Sequence, residues 1–128
     1  MTKTQKFTML GILLLAMGTT GCVSVSSTGS GPGVVFAYGK LEATLDNNHN
    51  AVFDAAVKAV DQLQLATINK DKGSLESTII ARNAQDKKIT IEITKLAESL
   101  TKVTIRVGGI GGDQAQSQAI LQKIQANL

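Results

Sequence analysis

The pattern of hydrophobic and polar positions divides the chain into three parts, and the first is an apolar segment with a basic start. Residues 1–6 are polar and basic, residues 7–17 are rich in Leu and uncharged, and small residues lead up to Gly21 and Cys22. These three features in this order are typical of a secretory signal peptide. The apolar run is also shorter than the roughly 20 residues that a membrane-spanning helix needs. We therefore predict a signal peptide over residues 1–21.

The second part, residues 22–33, begins at Cys22 and continues as a segment dominated by Ser and Gly that contains the single proline, Pro32. This composition is typical of a flexible linker. Its eleven residues after the cysteine span about 36 Å at most. The sequence therefore predicts a short tether ahead of a folded domain.

The third part, residues 34–128, carries the periodicity of strands. Alternation of apolar and polar positions predicts strands over 34–45, 75–82, 89–94 and 102–107, with a weaker strand over 65–69. Residues 70–73 resemble a hairpin turn in which Gly73 takes a positive φ. The connections at 83–87 and 96–100 are short, so the last strands are expected to pair antiparallel.

Two segments carry helical periodicity. In residues 51–63 an apolar stripe lies opposite a polar face on which Asp54 and Lys58 have the spacing of an ion pair. A closing helix capped by Asp113 has its stripe at Ile120, Leu121, Ile124 and Leu128. The predicted order is β-α-β-β-β-β-α. We predict an α+β domain in which both helices pack on one face of an antiparallel sheet, a helix-grip-like arrangement.

Composition narrows the chemistry that this domain can carry. Aromatic residues make up 3% of the chain and Trp is absent, so the core must be mostly aliphatic. A single Cys excludes an intramolecular disulfide and a cysteine-based zinc site. The formal charge of +3 falls to +1 without Lys3 and Lys6 of the signal peptide. Nucleic-acid binding is therefore not indicated, because it needs a basic face on the folded domain.

Cys22 directly after Gly21 resembles the lipobox of bacterial lipoproteins, although Thr19 stands where that motif commonly has an aliphatic residue. The resemblance implies cleavage before Cys22 and acylation of its thiol, which would anchor the domain to a membrane. The absence of Asp at position 23 implies sorting to the outer membrane. The alternative is an ordinary secreted protein whose exported thiol is free.

Several runs in the folded part resemble a proteobacterial lipoprotein family of unknown function, DUF3568. The resemblance spans residues 34–128, includes Gly112-Asp113, and lies mainly in residues 38–44, 52–56, 88–91, 104–108 and 124–128. It implies a small exported α+β lipoprotein and no catalytic residues. The architecture is also similar to the helix-grip modules in a lipoprotein of the outer-membrane β-barrel assembly machinery, an analogy of fold alone.

The candidate catalytic features are weak. His49 is expected as an exposed residue in the first turn of a helix, without a second His or a carboxylate cluster to support a metal or general-base role. The glycines at 108, 109, 111 and 112 do not have the spacing of a dinucleotide-binding or P-loop motif. We therefore predict no enzymatic activity, no cofactor and no metal.

The outward side of the predicted sheet is the best candidate for an interaction face. It alternates Thr, charged residues and one Ile, which is either an ordinary solvated face or a docking face for an envelope partner. The candidate residues are Thr78, Ile80, Arg82, Thr90, Glu92, Lys102 and Arg106.

Together these observations predict a non-enzymatic, lipid-anchored protein of the bacterial envelope. The expected location is the outer membrane, with the domain facing the periplasm and binding or scaffolding another envelope component. The alternative is a carrier or sensor of a small apolar ligand held between helix and sheet. An enzymatic role would require His49 to lie in a cleft with carboxylates.

Overall fold

The computed structural model describes residues 33–128. The predictions for the signal peptide, for Cys22 and for the tether up to Pro32 lie outside the described residues. The elements are β1 (Val34–Ala37), β2 (Lys40–Leu45), α1 (His49–Gln62), β3 (Ala66–Lys72), β4 (Glu76–Arg82), β5 (Lys88–Ala97), β6 (Leu100–Val107) and α2 (Gln114–Ala126). The predicted α+β class is confirmed.

The six strands form one antiparallel sheet in the order β1-β2-β6-β5-β4-β3. Strands β3 to β6 follow one another as a meander, and β2 pairs with the open side of β6. The edges of the sheet are therefore β1 and β3. Strand β3 differs from the others because each of its seven residues is exposed.

The core lies between the sheet and the two helices. Every second residue of β2, β4 and β6 is buried, and so is every second residue of β5 as far as Ile93, as the alternation in the sequence predicts. Both helices pack on this same face, since their buried residues join those of the sheet in one cluster. The fully buried large side chains are Leu41, Val52, Val60, Ile79, Ile89, Ile91, Ile93, Val103, Ile105, Val107, Ile120 and Ile124.

The prediction of one strand over residues 34–45 is wrong, because Tyr38 and Gly39 divide this segment into the hairpin β1–β2. Both residues have positive φ, 51° at Tyr38 and 74° at Gly39. Two consecutive residues with positive φ form the type I′ turn that suits the twist of a two-residue hairpin. The first element of the domain is therefore a hairpin, and the observed order is β-β-α-β-β-β-β-α.

The second difference concerns the β3–β4 hairpin. Residues 70–72 continue β3 instead of forming the turn, and the connection is residues 73–75. Gly73 does not have the predicted positive φ. Glycine is required at this position because a Cβ would overlap the carbonyl oxygen of Glu76. Leu75, predicted as the first residue of the strand over 75–82, lies in this connection and is exposed.

The helices begin at side-chain caps. Asn48 Oδ1 accepts a hydrogen bond from the Ala51 amide at 2.8 Å, so α1 starts two residues earlier than predicted. Asp113 caps α2 as predicted, accepting from the Gln116 amide at 3.0 Å. Leu128, predicted to be in the apolar stripe, is exposed beyond the end of α2. Within residues 33–128, no helix has the length and hydropathy that crossing a bilayer requires.

The surface ion pairs also differ from prediction. Asp54 pairs with Lys72 of β3 at 3.5 Å instead of with Lys58 on its own helix. At the β5–β6 turn, Lys95 Nζ donates to Glu98 Oε1 at 2.8 Å. This hydrogen bond, with the positive charge of Lys95, holds the pKa of the Glu98 carboxyl below its usual value.

Candidate functional site

The seven residues of the predicted interaction face lie on the side of the sheet opposite the helices. Cross-strand pairing places them in register, with Ile80 opposite Thr90 and Thr90 opposite Arg106. Within residues 33–128, no helix covers this side, which we name the open face. All seven are at least partly exposed: Thr78, Ile80, Arg82, Thr90, Glu92, Lys102 and Arg106.

Charges on the open face are arranged in rows that run across the strands. The basic row is Lys40, Arg106, Thr90 and Ile80. The acidic row is Glu42, Thr104, Glu92 and Thr78. The third row is Thr44, Lys102, Thr94 and Glu76. Thr104, expected to be outward and solvated, is outward but buried at the centre of the sheet between Glu42 and Glu92.

A depression of about 260 Å³ lies at the basic end of the open face, with Lys40, Lys88 and Arg106 around Thr90. None of these three cations forms an ion pair with a carboxylate of residues 33–128. Arg106 Nη2 donates to the Tyr38 carbonyl oxygen at 3.3 Å, and Arg106 Nε is buried without a hydrogen-bond partner. An unsatisfied buried donor is rare and calls for an explanation, such as a bound anion.

Lys40 and Lys88 were not among the site residues predicted from the sequence. The period-two pattern already placed Lys40 on the outward side of its strand, so its direction was available. Its nearness to Arg106, which is 66 residues away in the chain, was not predictable because it depends on the pairing of β2 with β6.

A groove of about 550 Å³ lies on the other side of the sheet, between α1 and the edge strand β3. Phe53 and Val57 supply its apolar wall. Lys72 Nζ lies 5.0 Å from the centre of the Phe53 ring and 3.5 Å from Asp54. The groove also carries Lys58 and Lys70. It combines an apolar wall with a basic rim between a helix and the sheet.

His49 is buried, contrary to the prediction of an exposed first-turn residue. It is 4% exposed, and its Nε2 lies 3.1 Å from Ser77 Oγ and 3.3 Å from the Ile93 carbonyl oxygen. The contact joins the start of α1 to β4 and β5. Because Ser77 is buried as well, this His–Ser pair links α1 to the sheet from within the domain.

The glycine-rich segment after β6 packs against the β1–β2 turn. Gly112 has a φ of 63°, and a Cβ at this position would overlap the carbonyl oxygen of Gly39. A Cβ on Gly39 would in turn overlap the carbonyl oxygen of Ile110. The glycines therefore permit a close backbone contact between two turns.

In the part of the chain that the structure describes, no group of three or more His, Cys, Asp or Glu side chains is placed to hold a metal ion. A comparison with protein-family models identifies one family, described as a protein of unknown function, whose model matches residues 6–127. The chain belongs to the DUF3568 family. A search of curated proteins finds no match to this DUF3568 protein. The family resemblance predicted from the sequence is confirmed, while lipid modification and a proteobacterial source stay predictions.

Proposed function

We propose that this DUF3568 protein is a non-enzymatic, lipid-anchored envelope protein whose open face docks on another envelope protein. The observation that carries the proposal is the one-sided packing of the sheet. Both helices cover one face, while the other presents rows of opposite charge within residues 33–128.

Rows of opposite charge side by side favour a specific partner. A partner surface with complementary rows is attracted in one register, and a shift by one row brings like charges together. The residues of the open face are also held on strands, so little backbone entropy is lost when they bind.

The anchor is proposed at Cys22. Each buried methylene of an acyl chain contributes about 0.8 kcal/mol, and a single chain holds a protein only marginally. The three chains that lipoprotein processing supplies would make attachment effectively permanent. Outer-membrane location with the domain in the periplasm follows from the sorting residue, which is Val23 instead of Asp.

A photo-crosslinking amino acid tests the docking face. We expect that placing it at Thr78 or Lys102 on the open face, in the full chain expressed in a bacterial envelope, captures one specific envelope protein. The matched positions are Asp61 and Gln122, which are exposed on the helices. The same products from both sets of positions, or none from the open face, would contradict the proposal.

Intact-mass analysis of the membrane fraction tests the anchor separately. We expect a species that begins at Cys22 with added acyl mass, and we expect Cys22→Ser to leave the membrane fraction. A chain that retains Met1 and carries no acyl mass would overturn the anchor.

The groove between α1 and β3 favours a second candidate function, that of a carrier or sensor of a small apolar ligand with an acidic group. Its volume lies in the range of ligand pockets, about 300–1,000 Å³. Solvent extraction of the purified protein followed by mass spectrometry should recover such a ligand, and Val57→Asp should abolish the recovery. An empty extract would exclude this second function.

A further inference from the structure

We infer that one end of the sheet docks on an anionic phospholipid surface. This end, which we name the tip, consists of Tyr38, Lys40, Lys88, Arg106 and Ile110. The inference goes beyond docking on an envelope protein, and it depends on contacts among described residues and not on acylation of Cys22.

The tip carries the two most exposed large apolar side chains of residues 33–128. Tyr38 and Ile110 are each 93% exposed, while the next, Leu75, is 63% exposed. Tyr38 lies in the β1–β2 turn and Ile110 in the loop after β6. Aromatic side chains with one polar end favour the boundary between lipid headgroups and acyl chains. An aliphatic neighbour adds apolar area that this boundary can bury.

The two turns are held together by their backbones. Gly39 and Gly112 approach so closely that a Cβ on either would overlap backbone atoms of the other turn. Arg106 adds a hydrogen bond to the Tyr38 carbonyl oxygen at 3.3 Å. Tyr38 and Ile110 are therefore presented as a pair on an ordered support, which lowers the entropy lost on binding.

The cations of the tip share their depression with one carboxylate, Glu92, which forms no ion pair with them. Lys40 and Arg106 are directly paired across β2 and β6, an arrangement of like charges that destabilises a sheet. Neither they nor Lys88 form an ion pair within residues 33–128. A phosphate group that bound the accessible guanidinium and ammonium groups would offset this repulsion.

The distribution of charge over the sheet also favours an orientation in which the tip faces an anionic surface. The strand ends and turns around the tip add Arg82 and Lys87 to its three cations, against the acidic side chains of Asp86 and Asp113, and both acidic side chains are already engaged. Asp86 pairs with Arg82, and Asp113 caps α2. At the far end of the sheet the charges balance, since Asp46, Asp71, Glu76 and Glu98 are matched by Lys70, Lys72, Lys95 and Lys102. An anionic surface would therefore attract the tip more strongly than the far end.

Vesicle sedimentation tests the inference. Residues 22–128 contain every residue of the core, so this chain with Cys22→Ser is the protein to use, since no acyl chain then contributes to binding. We expect it to sediment with vesicles of phosphatidylglycerol and phosphatidylcholine, to bind phosphatidylcholine alone much less, and to dissociate as NaCl is raised.

Two double variants separate the apolar and basic contributions. Tyr38→Ser with Ile110→Ser, and Lys40→Gln with Arg106→Gln, should each weaken binding to the anionic vesicles by about tenfold or more. The matched controls lie at the far end: Leu75→Ser removes an exposed apolar side chain, and Lys95→Gln removes a cation at the β5–β6 turn. Both should bind as the parent chain does. Urea midpoints will show that every variant is folded.

Three results would overturn the inference. They are equal vesicle binding by the parent and the tip variants, equal losses in the far-end controls, and no sedimentation with anionic vesicles at low salt. If the tip variants lose a crosslinked envelope protein but keep their vesicle binding, the tip contacts protein and not lipid. Capture at Thr78 is independent of these outcomes, so docking on the open face can fail or succeed separately.

Discussion

The link between His49 and the sheet shows how one polar side chain fixes the start of a helix. His49 is the first residue of α1, and its ring reaches Ser77 of β4 and the backbone carbonyl of Ile93 in β5. The Ser77 hydroxyl also lies 3.4 Å from the Gly73 carbonyl oxygen. Since these groups are largely removed from water, each depends on the others for its hydrogen bonds.

We expect His49→Ala to lower the free energy of unfolding by about 1–3 kcal/mol, because it leaves buried polar groups without a partner. Urea denaturation at constant pH measures the change. Asn50→Ala is the matched control, since Asn50 is the next residue of the helix and is exposed. Equal midpoints for the two variants would contradict the structural role of His49.

The contact between Gly39 and Gly112 leads to a second prediction at single residues. Gly39→Ala should destabilise the protein by about 1–2 kcal/mol from its positive φ alone, with a further cost from the overlap with Ile110. Gly109→Ala should change stability by less than about 0.5 kcal/mol, because no atom lies within 4 Å of its Cβ position. Thermal denaturation compares the two, and similar melting temperatures would argue against the contact.

At the scale of elements, strands β4, β5 and β6 were predictable because their apolar residues alternate without interruption. The same alternation gave the direction of all seven open-face residues. The β1–β2 hairpin was missed because its turn places a non-glycine residue, Tyr38, at positive φ. The length of β3 was missed because all its residues are exposed, so no alternation marks it. Burial of His49 depends on partners 28 and 44 residues away, which no local pattern reports.

Strand β3 should be the least protected strand of the central meander. It is an edge strand, its residues are all exposed, and its pairing with β4 is interrupted by an irregularity at Ile68. Local opening therefore breaks few buried contacts. We expect hydrogen exchange to be much faster in peptides covering 66–72 than in those covering β5 and β6. Equal protection would indicate that another segment or a partner covers this edge.

In the whole molecule, the residues that stabilise the fold lie on one face of the sheet, and the residues proposed for binding lie on the other. The helix-side face carries the apolar core, and the open face carries the charged rows together with the three basic side chains of the tip. Substitutions on the open face can thus change binding with little effect on folding. Substitutions in the core should instead change folding, because one cluster of buried residues joins β2, β4, β5 and β6 with both helices.

This division predicts losses of stability of different size when two isoleucines on neighbouring strands are replaced by alanine. Ile91→Ala should lower the free energy of unfolding by about 2–5 kcal/mol, because Ile91 is fully buried between Ile79 and Ile105. Ile80→Ala, on the open face, should cost about 1 kcal/mol or less. Since domains of this size unfold with about 5–15 kcal/mol in total, the core variant should lose α1 and α2 in one shared transition. Circular dichroism gives the midpoint, and hydrogen exchange follows each helix; separate unfolding of the helices would contradict a single core.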